Sequence, residues 1–332
     1  MGLASIAIDN LLSPMVLFFL LGVLAAAARS DLSIPESIGK AMALYLMFAI
    51  GFKGGAGVSA HGVGADLLLA MAFGVLLSFA IPVLAFALLR LTTGLSRVDA
   101  AAVAAHYGSI SVVTFVAATE ALKTLGISYD GYMVAVVAIM ETPAIVAALW
   151  LVRRGDGNGS SGSGGGKGAL SGEALREVLF NGSVVLLMGA FFIGWITGED
   201  GLEDVAPLIV DPFKGVLCLF LLDMGLVAAR GFRSAREALN LRLFLFGIYM
   251  PLIGAALATI VVSLLDMSPG SAALMVVLAA SASYIAVPAA MRLTLPEARP
   301  AIYLTMSLGV TFPFNLVFGI PLYIAAAGWV AG

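Results

Sequence analysis

The chain has 332 residues, of which 61% are hydrophobic and 11% charged, and its formal net charge is −3. Soluble domains carry about 45–50% apolar and about 25% charged residues, so the composition excludes an ordinary soluble domain and offers no basic surface for nucleic acid. It describes a polytopic helical membrane protein. The single cysteine, Cys218, excludes an intrachain disulfide and sits in an apolar run as a small core residue.

A bilayer span takes about 20 mostly apolar residues. Ten stretches qualify, at about 11–29, 34–52, 66–91, 98–122, 129–152, 174–197, 207–229, 240–265, 270–293 and 300–330. The first lacks a basic segment and a clear cleavage site, so it is expected to persist as a span rather than be cut as a signal. Ser13-Pro14 breaks its start. In Ile34–Ser37 the proline suits the first helical position and Glu36 the first turn. The second span leaves through Gly51-Phe-Lys-Gly-Gly55, where Lys53 reads as a snorkelling interface cation or one that attracts a substrate.

The fourth span is wrong for a simple helix. Ala104–Thr119 reads AAHYGSISVVTFVAAT, with Gly108, Ser109, Ser111 and Thr114 at its centre among β-branched residues that favour extended backbone. Ala279–Arg292, AASASYIAVPAAMR, repeats the pattern with Ser281 and Ser283 and breaks at Pro288, which has no N–H for the helix ladder. Non-helical backbone at membrane depth survives only where it is buried in protein or lines a cavity. Two such interrupted spans in corresponding halves point to a transporter's substrate site.

The segment 154–172 is a Gly/Ser linker between a first five-helix repeat, 1–153, and a second, 173–332. Gly166-Lys167 is followed by Gly168, so a phosphate-binding loop is rejected. The halves echo each other: Leu44–Gly55 resembles Leu219–Gly231, and Ser111 to Pro143 spans 32 residues, as does Ser281 to Pro313. Five spans per half force opposite orientations, an inverted repeat.

Fourteen of the 17 basic residues fall on one side: Arg29, Lys40, Arg90, Arg97, Arg153, Arg154, Lys167, Arg176, Arg230, Arg233, Arg236, Arg242, Arg292 and Arg299. Lys53, Lys123 and Lys214 remain for the other. The positive-inside bias places both termini on the outer side. The Asn158–Ser160 sequon then faces the cytoplasm and is a chance match. Glu199, Asp200, Glu203 and Asp204 face outward.

Polar residues within spans are His106, Ser109, Ser111, Thr114, Glu141, Asp223, Ser281, Ser283, Tyr284, Thr311 and Asn315. Ionisable groups at this depth are costly and are functional candidates. Glu141 precedes the kinking Pro143; it suits a sodium or proton site, or stays protonated in a hydrogen bond to a neighbouring helix. Asp223 is a second coupling-ion ligand or a structural acceptor. His106 reads as a packing residue before a proton relay. Two half-helix N-termini aimed at one spot would bind a small anion without any basic side chain.

The stretches 32–55, YGSISVVT (107–114), MVAVVAIMETPAIVAA (133–148) and AASASYIAVPAA (279–290) resemble the sodium-dependent bicarbonate transporters of cyanobacteria, the SbtA-type permeases. The resemblance covers nearly the whole chain. It implies an all-α fold of about ten transmembrane helices in two inverted repeats, forming a core and a gate domain and assembling as a homotrimer. It implies sodium-driven bicarbonate import and a cytoplasmic PII-like regulatory protein. Gly108, Ser109, Ser111, Thr114, Ser281, Ser283 and Tyr284 would line the substrate site. Glu141, Asp223, Ser111, Thr114 and Ser283 are the sodium candidates, with sodium as coupling ion and no other cofactor or metal. The chain departs from the family at Tyr284, where the cyanobacterial form has aspartate, at Ala286 (serine), at Val287 (glycine) and at Val112-Val113 (Gly-Ser). Asp223, absent from that form, is the candidate to replace the missing carboxylate.

The expected function is an elevator-like, alternating-access symporter of bicarbonate in a bacterial inner membrane, and not an enzyme. Alternatives are a transporter of another small anion, a proton-coupled form, a passive anion channel, and an intramembrane hydrolase using His106 with Ser109 or Ser111.

Overall fold

The computed structural model describes residues 8, 11–62, 64–141, 143–153, 182–234, 239–285, 287, 288, 290, 291 and 295–330. The linker 154–172, its sequon, Arg154, Arg176, Arg236, Ala286 and Arg292 lie outside the described residues. Every regular element among those described is helical. In order these are α1 (Pro14–Ala27), α2 (Glu36–His61), α3 (Ala65–Thr92), α4 (Arg97–Gly108), α5 (Val112–Thr124), α6 (Met133–Met140), α7 (Pro143–Arg153), α8 (Gly182–Ile209), α9 (Phe213–Ser234), α10 (Leu241–Val262) and α11 (Pro269–Ala280). The last, α12, runs over Pro300–Val330. It widens into π-helix at Thr305–Thr311 and Asn315–Gly319, on either side of Pro313.

Eight helices among the described residues are long and apolar enough to cross a membrane, taking α4 with α5 and α6 with α7 as single spans. The other two expected spans appear as shorter apolar helices, α1 with 14 residues and α11 with 12. The physical reason for the short α11 is that the chain leaves helical geometry at Ser281. The Arg97–Thr124 span is buried along its whole apolar window, more completely than any other.

Helix starts follow local chemistry. The Ser96 hydroxyl accepts from the Asp99 amide at 3.1 Å, and Asn240 Oδ1 accepts from the Leu243 amide at 2.9 Å. Each satisfies one of the amides that a helix start leaves open. Inside α8, Gly198 takes φ 65° and ψ −149°, a conformation essentially confined to glycine. The chain reverses there, and Tyr45 of α2 donates to the Leu208 carbonyl at 2.7 Å. Glu199, Asp200, Glu203 and Asp204 are exposed on this returning segment.

The densest packing divides the helices into two groups: α1, α2, α8 and α9 in one, α3 to α7 with α10 to α12 in the other. In lipid, helices associate through close van der Waals packing, which small residues permit. Gly51 and Gly55 of α2 let α8 approach until a Cβ on Gly55 would strike the Phe191 carbonyl and lie 2.6 Å from the Trp195 amide. Gly22 of α1 and Gly225 of α9 face each other in the same way, each Cα 3.1 Å from where the other's Cβ would be. The second group is tied at both faces. Asp99 accepts from the Arg299 amide at 2.9 Å and from its guanidinium at 2.8 Å. On the opposite face Asp130 Oδ2 accepts from the Ser268 and Ser271 hydroxyls, both at 2.6 Å.

Arginines concentrate at one face, where Arg97 and Arg233 cap carbonyls in the last turns of helices and Arg230 holds the loop that follows α1. Arg97 donates to the Leu151 and Val152 carbonyls at 3.1 and 3.3 Å. Arg230 donates to the Leu32 carbonyl at 2.7 Å, and Arg233 to the Ala26 carbonyl at 3.0 Å.

Gly55→Leu would drive a side chain into the α8 backbone, an overpacking cost of about 1–3 kcal/mol or more. Thermal unfolding in detergent should show a lowered midpoint. Gly215→Ala, where a Cβ meets open space, should stay within about 0.5 kcal/mol of the parent.

Candidate functional site

The two interrupted spans cross at the centre of the second group. After Gly108 the backbone extends through Ser109 (φ −86°, ψ 146°) and Ser111 (φ −103°, ψ 107°) before α5 begins. After Ala280 it extends at Ser281 (φ −88°, ψ 164°). Extended backbone frees amides and carbonyls, and the two segments satisfy each other. The Ser111 amide donates to Ser281 Oγ at 2.9 Å, across 170 residues of sequence. The Ser283 amide donates to the His106 carbonyl at 2.7 Å. Ser281 Oγ also donates to the Leu278 carbonyl at 2.8 Å.

Side chains complete the frame. Asn315 Nδ2 donates to the Ala280 carbonyl at the end of α11, at 2.8 Å, and Tyr323 donates to Asn315 Oδ1 at 2.8 Å. Thr311 bridges the Tyr107 hydroxyl and the Gly247 carbonyl, at 2.7 Å each. Gly108 has no room for a side chain: a Cβ there would strike Pro82 and lie 2.6 Å from the Ser78 carbonyl.

The polar groups left over are nearly all donors. Ser111 Oγ accepts from the Thr114 amide at 3.2 Å and the Thr114 hydroxyl at 2.9 Å, so its two lone pairs are used and its own O–H is left to donate. The amides of Val112 and Val113 open α5, where helix geometry supplies no partner. The Ser109 hydroxyl, the Tyr284 hydroxyl and His106 Nε2 are buried without a hydrogen-bond partner. The Tyr284 hydroxyl faces the Ser111 side chain. Buried polar groups are nearly always satisfied, so hydroxyls left open at one crossing fit a small polar ligand. Converging O–H and N–H groups with no cationic side chain among them suit a small anion.

The structure brings Gly108, Ser109, Ser111, Thr114, Ser281, Ser283 and Tyr284 together at this crossing. Glu141 is buried at the end of α6 behind it; the neighbouring Met140 carbonyl accepts from Ser78 at 2.5 Å, the residue whose carbonyl faces Gly108. Asp223 is not at the crossing. It belongs to α9 of the other group, with its Oδ2 2.7 Å from where a Cβ on Gly39 would lie. It faces a cavity of about 580 Å³ whose lining also includes Lys40, Tyr284, Pro288 and Thr305. Tyr284 thus separates the crossing from the cavity, its ring packed edge-on against Phe312 at 5.2 Å. His106 Nδ1 bonds to the Ala102 carbonyl at 2.6 Å and its ring stacks on Tyr303 at 4.8 Å. Neither serine is its partner, so the Ser–His pair that a hydrolase needs is not formed. Tyr107, Tyr323 and Ser78 were missed from the sequence, where single hydroxyls in apolar runs carry no distinguishing signal.

Two broken helices meeting in a buried, donor-lined crossing beside a cavity define a membrane transporter. The family model described as the Na+-dependent bicarbonate transporter superfamily matches residues 14–328, and the chain belongs to that superfamily. No curated protein matches the chain.

Ser281→Ala would leave the buried Ser111 amide unpaired, at about 1–3 kcal/mol. Thermal unfolding in detergent should show the loss, and Ser281→Thr, which keeps a hydroxyl, should recover most of it.

Proposed function

We propose that the protein is a sodium-coupled symporter that imports bicarbonate by an elevator-like movement. The observation that carries this reading is the crossing itself, where Ser111 of one broken span bonds Ser281 of the other and the hydroxyls of Ser109 and Tyr284 are left without a partner. Bicarbonate would sit against the Val112 and Val113 amides and the Ser109, Ser111 and Tyr284 hydroxyls. Sodium would take oxygens of Thr114 and Ser283, the open carbonyls ending α4 and the carboxylate of Glu141, with Asp223 reaching it from across the cavity; Ser111, whose lone pairs Thr114 already takes, is left to the anion. Each ion lowers the cost of the other in a low-dielectric site, which is the physical basis of coupling.

The two helix groups support a gate of α1, α2, α8 and α9 and a core of the remaining helices. Inverted five-helix repeats, 1–153 and 173–332, are supported by the 170-residue offset of Ser111 and Ser281. Pro143 and Pro313 show the same offset, since 313 − 143 = 170. The arginine-rich face is read as cytoplasmic, in a bacterial inner membrane, with both termini outside. The cavity at Asp223 opens at that face, so the state described is inward-open. The sequence resemblance supports a homotrimer and a cytoplasmic PII-like regulator.

The test is uptake of labelled bicarbonate into proteoliposomes with and without an inward sodium gradient. Accumulation that requires the sodium gradient supports the reading. Accumulation that follows a proton gradient instead would replace the coupling ion, and equilibration without accumulation would identify a channel. Asp223→Asn is expected to abolish sodium dependence in protein that still inserts and elutes normally; unchanged dependence would remove Asp223 from the cation site.

A further inference from the structure

On the face opposite the cavity the two helix groups meet backbone to backbone. A Cβ on Gly131, just before α6, would lie 2.8 Å from the Gly54 carbonyl and 3.1 Å from the Gly57 Cα of α2. Beside this contact α2 carries Lys53. A snorkelling lysine would carry its ammonium out to water. This one is half-buried, with Nζ 3.9 Å over the Phe213 ring of α9, and it forms no ion pair among the described residues.

The charges that face Lys53 come from α5: Glu120 and Lys123, three residues apart on one helix face. Glu120 is buried, whereas Lys123 is exposed. Glu120 also faces Cys218 of α9, together with Lys214. Lys53, Lys123 and Lys214 are the three basic residues that the charge bias leaves for this side; Glu120 and Lys123 face Lys53, and Glu120 and Lys214 face Cys218 on α9, whose Phe213 carries the Lys53 ammonium. A desolvated ammonium held over an aromatic ring, with its one nearby carboxylate beyond ion-pair distance, is a partly satisfied cation. In a low-dielectric cleft its field on a small anion is far stronger than in water.

We propose that Lys53, flanked by Lys123 and Lys214, forms a docking subsite for a small inorganic oxyanion on the outer face, and that Glu120 is its built-in competitor. The proposal rests on the gate-and-core reading. Lys53 and Lys214 stay with the gate, while Glu120 moves with α5 of the core. With the outer side closed, as here, Glu120 occupies the field of Lys53. When the core moves away, that field is released to an incoming anion. When the core returns, the carboxylate expels any anion still held there.

The experiment measures labelled-bicarbonate uptake against concentration in proteoliposomes. Lys53→Gln should raise KM about tenfold with kcat retained, Lys53→Arg should restore it, and Glu120→Gln should lower it. Near 1 M salt, where the screening length falls to about 3 Å, the difference between parent and Lys53→Gln should shrink. An unchanged KM in Lys53→Gln, or a fall in kcat alone, would overturn the proposal and make Lys53 a packing residue. A second measurement does not depend on bicarbonate being the substrate: acylation of lysines in the Glu120→Gln protein, read by mass spectrometry. Nitrate should slow acylation of Lys53 and spare Lys40, which is exposed and paired with Glu36 on the cavity side. Equal protection of both lysines, or a Lys53 that never reacts, would overturn the docking site whatever the transported ion. Selective protection in a protein that takes up no bicarbonate would uphold the subsite and overturn only the substrate assignment.

Discussion

A backbone group that leaves its helix inside the hydrocarbon must find another partner. The segments 109–111 and 281–283 answer that demand together. Ser111 supplies an amide and Ser281 an acceptor; Ser283 supplies an amide and His106 a carbonyl. Neither interruption is tolerable without the other, because a lone one would strand amides and carbonyls at several kcal/mol each. This mutual dependence explains why Arg97–Thr124 is the most buried span and why Asn315, Thr311 and Tyr107 form a second frame around it. The framework consumes most acceptors and leaves hydroxyls over, which suits the proposed small anion without a lysine or arginine at the crossing.

The two helix groups are held together internally by different forces, and the difference suits relative movement. Gly51, Gly55, Gly22 and Gly225 bring backbones into contact, so α1, α2, α8 and α9 interlock over long stretches. The other group is fastened at its two faces by directional bonds, Asp99 to Arg299 and Asp130 to Ser268 and Ser271. Each bond joins the entrance of a broken span to the approach to another helix, so the crossing cannot splay from either side. Between the groups the contact is uneven. Gly54, Gly57 and Gly131 close one face, while a cavity of about 580 Å³ parts the other.

Much of this was legible in the sequence because it is local. Apolar runs fixed the helices, and clusters of Ser and Gly among β-branched residues marked the breaks at Ser109–Ser111 and Ser281–Ser283. What was not legible depends on partners far away in the chain. Nothing near Ser281 announces that it accepts from Ser111, 170 residues earlier. Asp223 and Tyr284 both read as site residues, yet they lie on opposite groups with the cavity between them. Pro313 stands at the position that matches Pro143 in the first half. In the structure the helix widens into π turns around it, because Asn315 is held between the Ala280 carbonyl and the Tyr323 hydroxyl. Gly198 gives no local hint of a reversal either, since glycines are common in membrane helices for packing alone.

The placement of the two candidate cation ligands, Glu141 and Asp223, gives them different parts in the proposed mechanism. Glu141 ends α6, in the same group as the crossing, so under the proposed elevator movement its distance from the anion would stay constant. Asp223 sits on α9, so under the same movement its distance would change. A cation held partly by Asp223 would therefore bind one state better than the other, and only such a difference in affinity can shift an equilibrium between states. A cation held by Glu141 and the crossing alone would neutralise the anion equally in both states; it would enforce co-binding without favouring a direction. Tyr284 stands between the two arrangements, buried at the crossing and lining the cavity that Asp223 faces. A phenol there would add a donor for the proposed anion and no charge for a cation, so in the proposed mechanism any charge-based bias between states would come from the α9 side, where Asp223 is.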